Sequence, residues 1–163
     1  MNGLLPGAAL IQIVKDGILG DNKEVKDIFI TSTVHSEWNL VFNPRLCSAL
    51  EERGITCHLP QRDTNQAGTP AEIFAQNVAA IKSSRKILFV TCNESINVGG
   101  EVGLSFGLGK AIVALAENGH AIPLMLKYMI TKSFIVGNID ELESYADDLV
   151  ISIRERKSMT DPQ

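Results

Sequence analysis

Short apolar runs alternate along this chain with segments whose apolar residues recur at helical spacing. D-I-F-I-T (Asp27–Thr31), I-T-C-H-L (Ile55–Leu59), K-I-L-F-V-T (Lys86–Thr91) and A-I-V-A-L (Ala111–Leu115) have the length of strands. The last two are apolar at nearly every position, as a strand covered on both faces of a parallel sheet requires. A helix is predicted to begin at Thr69-Pro70-Ala71-Glu72. Thr69 can cap it, Pro70 fits the first turn and Glu72 completes a capping box. Phe74, Val78 and Ile81 then share one face. An earlier helix carries Leu46, Ala49 and Leu50 and stops at Gly54. Pro44 either opens that helix, with Asn43 as cap, or kinks a longer one starting near Ser36. A last helix is expected from Asp140, with Leu142, Tyr145, Leu149 and Ile153 inward. This alternation predicts an α/β fold, a doubly wound parallel sheet sandwiched by helices, with right-handed crossovers.

The chain has 163 residues, 45% of them hydrophobic, which is enough for one domain with a substantial core. The expected organisation is a single domain over 1–163, with a helical extension over 1–22, an α/β core over 26–153 and a polar tail over 154–163. Fifteen basic and nineteen acidic residues give a net charge of −4 with no long run of either sign. That balance argues against a nucleic-acid partner but leaves room for a small anionic ligand. Three cysteines (Cys47, Cys57, Cys92) without a C-x-x-C pair read as reduced, half-buried core residues of a cytoplasmic protein. The apolar opening is interrupted by Lys15 and Asp16 and lacks a basic start, so neither a signal peptide nor a membrane span is expected.

In doubly wound sheets ligands bind outside the carboxyl ends of the strands. Three polar loops are placed there: Ser32–Trp38, Pro60–Gly68 and Cys92–Gly100. The segment after the third strand continues G-G-E-V-G-L-S-F-G-L-G-K, five glycines within eleven residues, a poor helix by propensity. A close backbone approach to the sheet, a ligand or a partner helix would compensate. Glu101 is expected in the first turn of that helix, kept ionised by the helix dipole and free N–H groups. It either caps the helix or serves as a carboxylate nucleophile. The glycines are not a P-loop, because Leu104 stands where glycine is needed and Ala111 follows Lys110. In the second loop, Gln61, Arg62 and Gln66 either read a base edge or phosphate or form a solvated turn closed by Asp63 and Asn65. In the first, Ser32, Thr33, His35 and Ser36 are candidate hydroxyl and phosphate binders, and Trp38 either stacks on a base or anchors the next helix. His35, His58 and His120 have no metal-ligand spacing, and His58 reads as a core histidine. Neither a metal nor a cofactor is implied. Asn77 is a polar residue on an otherwise apolar helix face, a satisfied buried amide or a group facing a site.

These residues resemble the nucleoside 2-deoxyribosyltransferase family over roughly residues 26–150. The resemblance rests on K-D-I-F-I-T-S, E-E-R-G-I-T-C-H-L-P-Q-R-D, the segment from Phe74 to Ile81, A-I-P-L-M and, above all, G-G-E-V-G-L-S-F-G-L-G-K-A-I-V, similar to the family's nucleophile segment. It implies a flavodoxin-like sheet and N-glycosidic chemistry on a nucleoside or nucleoside 5′-monophosphate. The carboxylate matching Glu101 would attack the anomeric carbon, and a glycosyl-enzyme ester would pass to another base or to water. Gln66 would contact the base, and Ser32 and His35 would hold the sugar or its 5′ end. Gly99 falls in the nucleophile segment. A homo-oligomer is implied too, since family members complete each site with a neighbour's residues.

Four positions depart from the family pattern. Phe29 stands for a tyrosine, Asn77 for an aspartate, Ser95 for the aspartate six residues before the nucleophile, and Pro123 for an asparagine that contacts the 5′ hydroxyl. The lost carboxylates weaken base protonation, while phenylalanine at position 29 resembles the branch of nucleoside 5′-monophosphate N-glycosidases. A second resemblance, to TIR-like domains, rests on D-I-F-I-T-S, I-K-S-S-R-K-I-L-F-V and the glutamate before G-x-x-x-G-x-G-K-x-I. It implies NAD cleavage or signalling. A non-catalytic nucleotide-binding relative is the third reading.

Overall fold

Five parallel strands form one sheet in the order β2-β1-β3-β4-β5. They are β1 (Ile28–Ser32), β2 (Cys57–His58), β3 (Lys86–Thr91), β4 (Ala111–Glu117) and β5 (Lys132–Val136). The computed structural model describes residues 24–34, 37–91, 95–119, 121–137 and 141–155. The expected extension over 1–22 and the tail beyond Glu155 lie outside the described residues. The helices are α1 (Glu37–Glu51), α2 (Pro60–Asp63), α3 (Pro70–Ser83), α4 (Ile96–Gly107), α5 (Leu124–Lys127) and α6 (Leu142–Arg154). The strand order is the flavodoxin-like one, and its switch point lies between β1 and β3.

Alternate residues of β1, β3 and β4 feed two cores. Ile28, Ile30, Leu88, Val90, Val113 and Leu115 pack on one face with Phe42, Leu46 and Leu50 of α1 and Leu142, Leu149 and Ile153 of α6. Phe29, Ile87, Phe89, Ile112 and Ala114 pack on the other with Ala80 and Ile81 of α3 and Val98 and Val102 of α4. Burial on both sides explains why β3 and β4 are apolar throughout. Truncating Leu88, which is fully buried, to alanine is expected to cost about 2–5 kcal/mol.

Local chemistry accounts for most element ends. Thr69 and Glu72 form the predicted capping box at the start of α3. Gly54, at φ +77°, ends α1 and lets Ile55 N–H donate to the Leu50 carbonyl. Pro44 lies inside α1, so the longer, interrupted helix is the one formed. Phe74 departs from its expected face and is 47% exposed, whereas Val78 and Ile81 are buried. Three further elements escape the sequence pattern: the short helix α2, formed at the start of the expected Pro60–Gly68 loop, the short α5, and the edge strand β5, whose K-S-F-I-V carries exposed lysine, serine and isoleucine.

Candidate active site

Ser95, not a loop glycine, starts the glycine-rich helix. Its side chain accepts from the Val98 N–H, so α4 begins at Ile96 and includes Gly99 and Gly100. Glu101 therefore lies in the second turn, not the first. That change matters electrostatically, because the free N–H groups of the helix start are no longer its partners. The carboxylate turns instead to the sheet edge, where Thr31 Oγ1 donates to Oε2 at 2.5 Å and Asn77 Nδ2 donates to Oε1 at 3.0 Å. Burial pushes the Glu101 carboxyl above its ordinary value, and these two donors pull it partly back. The expectation of an ion held by the helix dipole is thus replaced by a half-buried carboxylate held by two neutral donors.

The hydrogen bonds continue away from Glu101. Thr64 Oγ1 donates to Asn77 Oδ1 at 2.8 Å, and His58 Nε2 lies 3.3 Å from Thr64 Oγ1. Because the Thr64 proton is used on Asn77, the imidazole Nε2–H is the donor in this arrangement. The His58 ring also stacks on Phe29, with centroids 5.3 Å apart and planes 11° from parallel. His58 is therefore more than core filling: it ends a chain that reaches the carboxylate through Thr64 and Asn77.

The other expected site residues take diverse positions. Asn77 faces the site and bridges Thr64 to Glu101. Phe29 is fully buried beneath the site against His58, with no exposed face for a ligand. Ser32 ends β1 and its hydroxyl accepts from Asn43 Nδ2 at 2.5 Å; the same amide nitrogen donates to Gln61 Oε1 at 2.8 Å. Gln66 is exposed, and its amide donates to the carbonyls of Pro60 and Thr64. Gly99 lies in the first turn of α4, where an added Cβ would meet nothing within 4 Å. His35 lies outside the described residues. Trp38 stacks on Phe42 at 4.1 Å, the anchoring alternative. Asp63 accepts from Leu59 N–H and Asn65 from Ala67 N–H, which closes the second loop as a turn. Arg62 is committed to Glu51 and Asp63.

Thr31, Thr64 and His58 were not legible as site residues. A threonine ending an apolar strand at the binding edge is the signal for Thr31; Thr64 had none beyond its loop. A cavity of about 640 Å³ occupies the opposite, amino-terminal edge. Its lysines are turned to helix-end carbonyls, Lys86 to Ser152 and Glu155 and Lys110 to Lys82 and Ser84. They close the ends of α6 and α3 and leave that cavity a structural feature.

The family model described as nucleoside 2-deoxyribosyltransferase like matches residues 25–118, more than half of the chain, and spans β1 through β4. The chain belongs to that family. No curated protein matches it closely. Among solved structures it is similar to a 2-deoxyribosyltransferase from Bacillus psychrosaccharolyticus, with a TM-score of 0.62 and 19% identity over 76% of this chain and 94% of that one. It is also similar to a CMP N-glycosidase from Clostridium botulinum, with a TM-score of 0.59 and 18% identity over 77% and 98%. A conserved protein from Enterococcus faecalis V583 matches with a TM-score of 0.54 and 15% identity over 78% and 96%. At these identities the structures establish the shared fold. Membership of that family supports chemistry at the N-glycosidic bond of a nucleoside. Among the described residues no helix is long and apolar enough to cross a membrane.

Proposed function

We propose that this chain is an enzyme that cleaves or transfers the N-glycosidic bond of a nucleoside or nucleoside 5′-monophosphate, with Glu101 as nucleophile. The observation that carries this reading is the Glu101 carboxylate at the switch-point edge, held by Thr31 and Asn77. Two fixed donors orient the carboxylate without supplying a counter-charge that would quench it. One Glu101 oxygen bonds to the anomeric carbon as the bond to the base breaks, and its electron pair leaves with the base. With Asn77 and Ser95 in place of carboxylates, the departing base takes its proton from water. Water or a second base then attacks the anomeric carbon and frees the carboxylate. In this scheme Ser32 and His35 hold the sugar or its 5′ end, Gln66 contacts the base, and Gly99 leaves room for the backbone to approach the substrate.

We further propose a homo-oligomer. Leu124, Met125 and Tyr128 are 70%, 71% and 82% exposed, next to a helix whose Gly99, Gly103 and Gly107 face open space. The test is chromatography of ribo- and deoxyribonucleosides, their 5′-monophosphates and NAD after incubation with the protein and its Glu101→Gln variant, with and without a second free base. Glu101-dependent release of a base establishes the chemistry, and new nucleoside with added base means transfer. Nicotinamide from NAD alone would support the TIR-like alternative. No product with any substrate would mean a non-catalytic nucleotide binder.

A further inference from the structure

The face of the sheet opposite Glu101 carries a cluster that the proposed reaction does not use. Cys47 and Glu51 are one helical turn apart on α1, and Cys57 projects toward them from β2. The two sulfurs and a Glu51 carboxylate oxygen lie within 4.8 Å of one another. Both cysteines are 1% exposed, while Glu51 is 37% and Arg62 46% exposed, so the cluster has a buried sulfur floor and an open carboxylate rim. His58, next to Cys57, points to the other face and stacks on Phe29, which separates this cluster from the candidate active site.

We propose that Cys47, Glu51 and Cys57 form a binding site for a thiophilic divalent cation of the zinc class. Zinc, about 2.3 Å from sulfur and about 2.0 Å from oxygen, holds tetrahedral ligand atoms roughly 3.5 to 3.8 Å apart. The three donor atoms therefore need only a small inward movement, and a water molecule completes the fourth position. Two thiolates select a soft ion over magnesium or calcium, which prefer oxygen ligands. Arg62 does not compete with this role. Its Nη1 and Nη2 donate to the two Glu51 oxygens at 3.0 and 2.9 Å, and its Nε donates to Asp63 at 2.7 Å. Each carboxylate oxygen keeps a second lone pair, so the guanidinium orients Glu51 as an outer partner orients a metal ligand. Glu51 and Asp63 set two carboxylates against the one Arg62 guanidinium at the rim, which leaves that edge of the cluster net negative and favourable to a cation. Binding releases the two thiol protons to solvent.

The experiment is titration of the reduced full-length chain with cadmium and with zinc, reading the sulfur-to-cadmium charge-transfer band and proton release. One ion per chain is expected. Cys47→Ala or Cys57→Ala should weaken binding at least about 100-fold and remove the band, and Glu51→Gln or Arg62→Gln about tenfold. Cys92→Ser should leave it unchanged. X-ray absorption at the zinc edge of the unaltered protein should show two sulfur neighbours, which does not depend on any variant folding. Absence of the band, its survival without Cys47 or Cys57, or a zinc shell of oxygen and nitrogen alone would each overturn the proposal. The readout is binding alone and is independent of any glycosidic activity.

Discussion

The Thr31 hydroxyl, at the carboxyl end of β1, donates to the Glu101 carboxylate of α4 at 2.5 Å, across 70 residues of sequence. The bond ties a strand end to the second turn of a helix and, with Asn77, opposes the upward push of burial on that carboxyl. In the proposed reaction Glu101 acts as an ionised nucleophile, so the acidic limb of the pH–rate profile should report it. Thr31→Val removes a donor to the charged form and raises its pKa further. We expect that limb to move to higher pH, with the alkaline side unchanged. An unmoved limb would mean that Glu101 does not set it.

Replacing the carboxylate itself should separate stability from turnover. A folded-state pKa raised above the unfolded one gives stability that is present at low pH and lost as pH rises through the folded value. The ionised Glu101 is therefore a cost at neutral pH. Glu101→Gln should melt at the same temperature as the parent or higher at pH 7, lose that advantage in acid, and lower turnover at least about 10³-fold. Scanning calorimetry at two pH values beside the base-release assay gives both quantities.

The opposite sign applies at Asp27. Burial works upward on its carboxyl but is outweighed by the Thr56 N–H and hydroxyl and by the Arg85 guanidinium, which hold it below its ordinary value. These bonds, at 2.8 to 2.9 Å, fasten the start of β1 to β2 and β3. Such a group stabilises above its unfolded pKa and loses that contribution as pH falls. Asp27→Asn should cost about 1 kcal/mol at pH 7, allowing for solvent screening of the exposed Arg85, and the difference should close from about pH 4 downward. Urea unfolding at both pH values measures it.

Gly103 lies on α4 with nothing within 4 Å of an added Cβ, so the single chain gives no packing reason for glycine. Gly103→Ala should stabilise the isolated helix by up to about 1 kcal/mol. If a second copy packs on this face, the added methyl group disrupts it. We expect Gly103→Ala to shift sedimentation toward the single chain and to lower activity at low protein concentration.

The parts of this fold that were legible are those where local chemistry and tertiary role agree. K-I-L-F-V-T and A-I-V-A-L show their double burial directly, and Thr69 and Glu72 complete a cap within four residues. The edge strand β5 is not legible because three of its five residues are exposed, so its composition is that of a loop. Glu101 is legible in the glycine-rich segment but its depth is not, because the glycines read as a loop whereas Ser95 starts the helix one turn earlier. Thr64 and His58 could not be found from pattern. Their roles come from hydrogen bonds that α3 and β2 make after packing.

The glycine content of α4 also sets how long the site stays assembled. Gly99, Gly100, Gly103 and Gly107 make this, among the described helices, the one with least intrinsic preference for its own conformation, and none of them contributes a side chain to the core. Its grip on the sheet therefore rests mainly on Val98 and Val102, both buried, with Leu104 packed beside them. The backbone amides of residues 99–103 should exchange with deuterated solvent well before those of β3 and β4, and a ligand bridging Glu101 to β1 should slow that exchange more than exchange anywhere in the central strands. On the proposed reading, turnover would follow the lifetime of this helix.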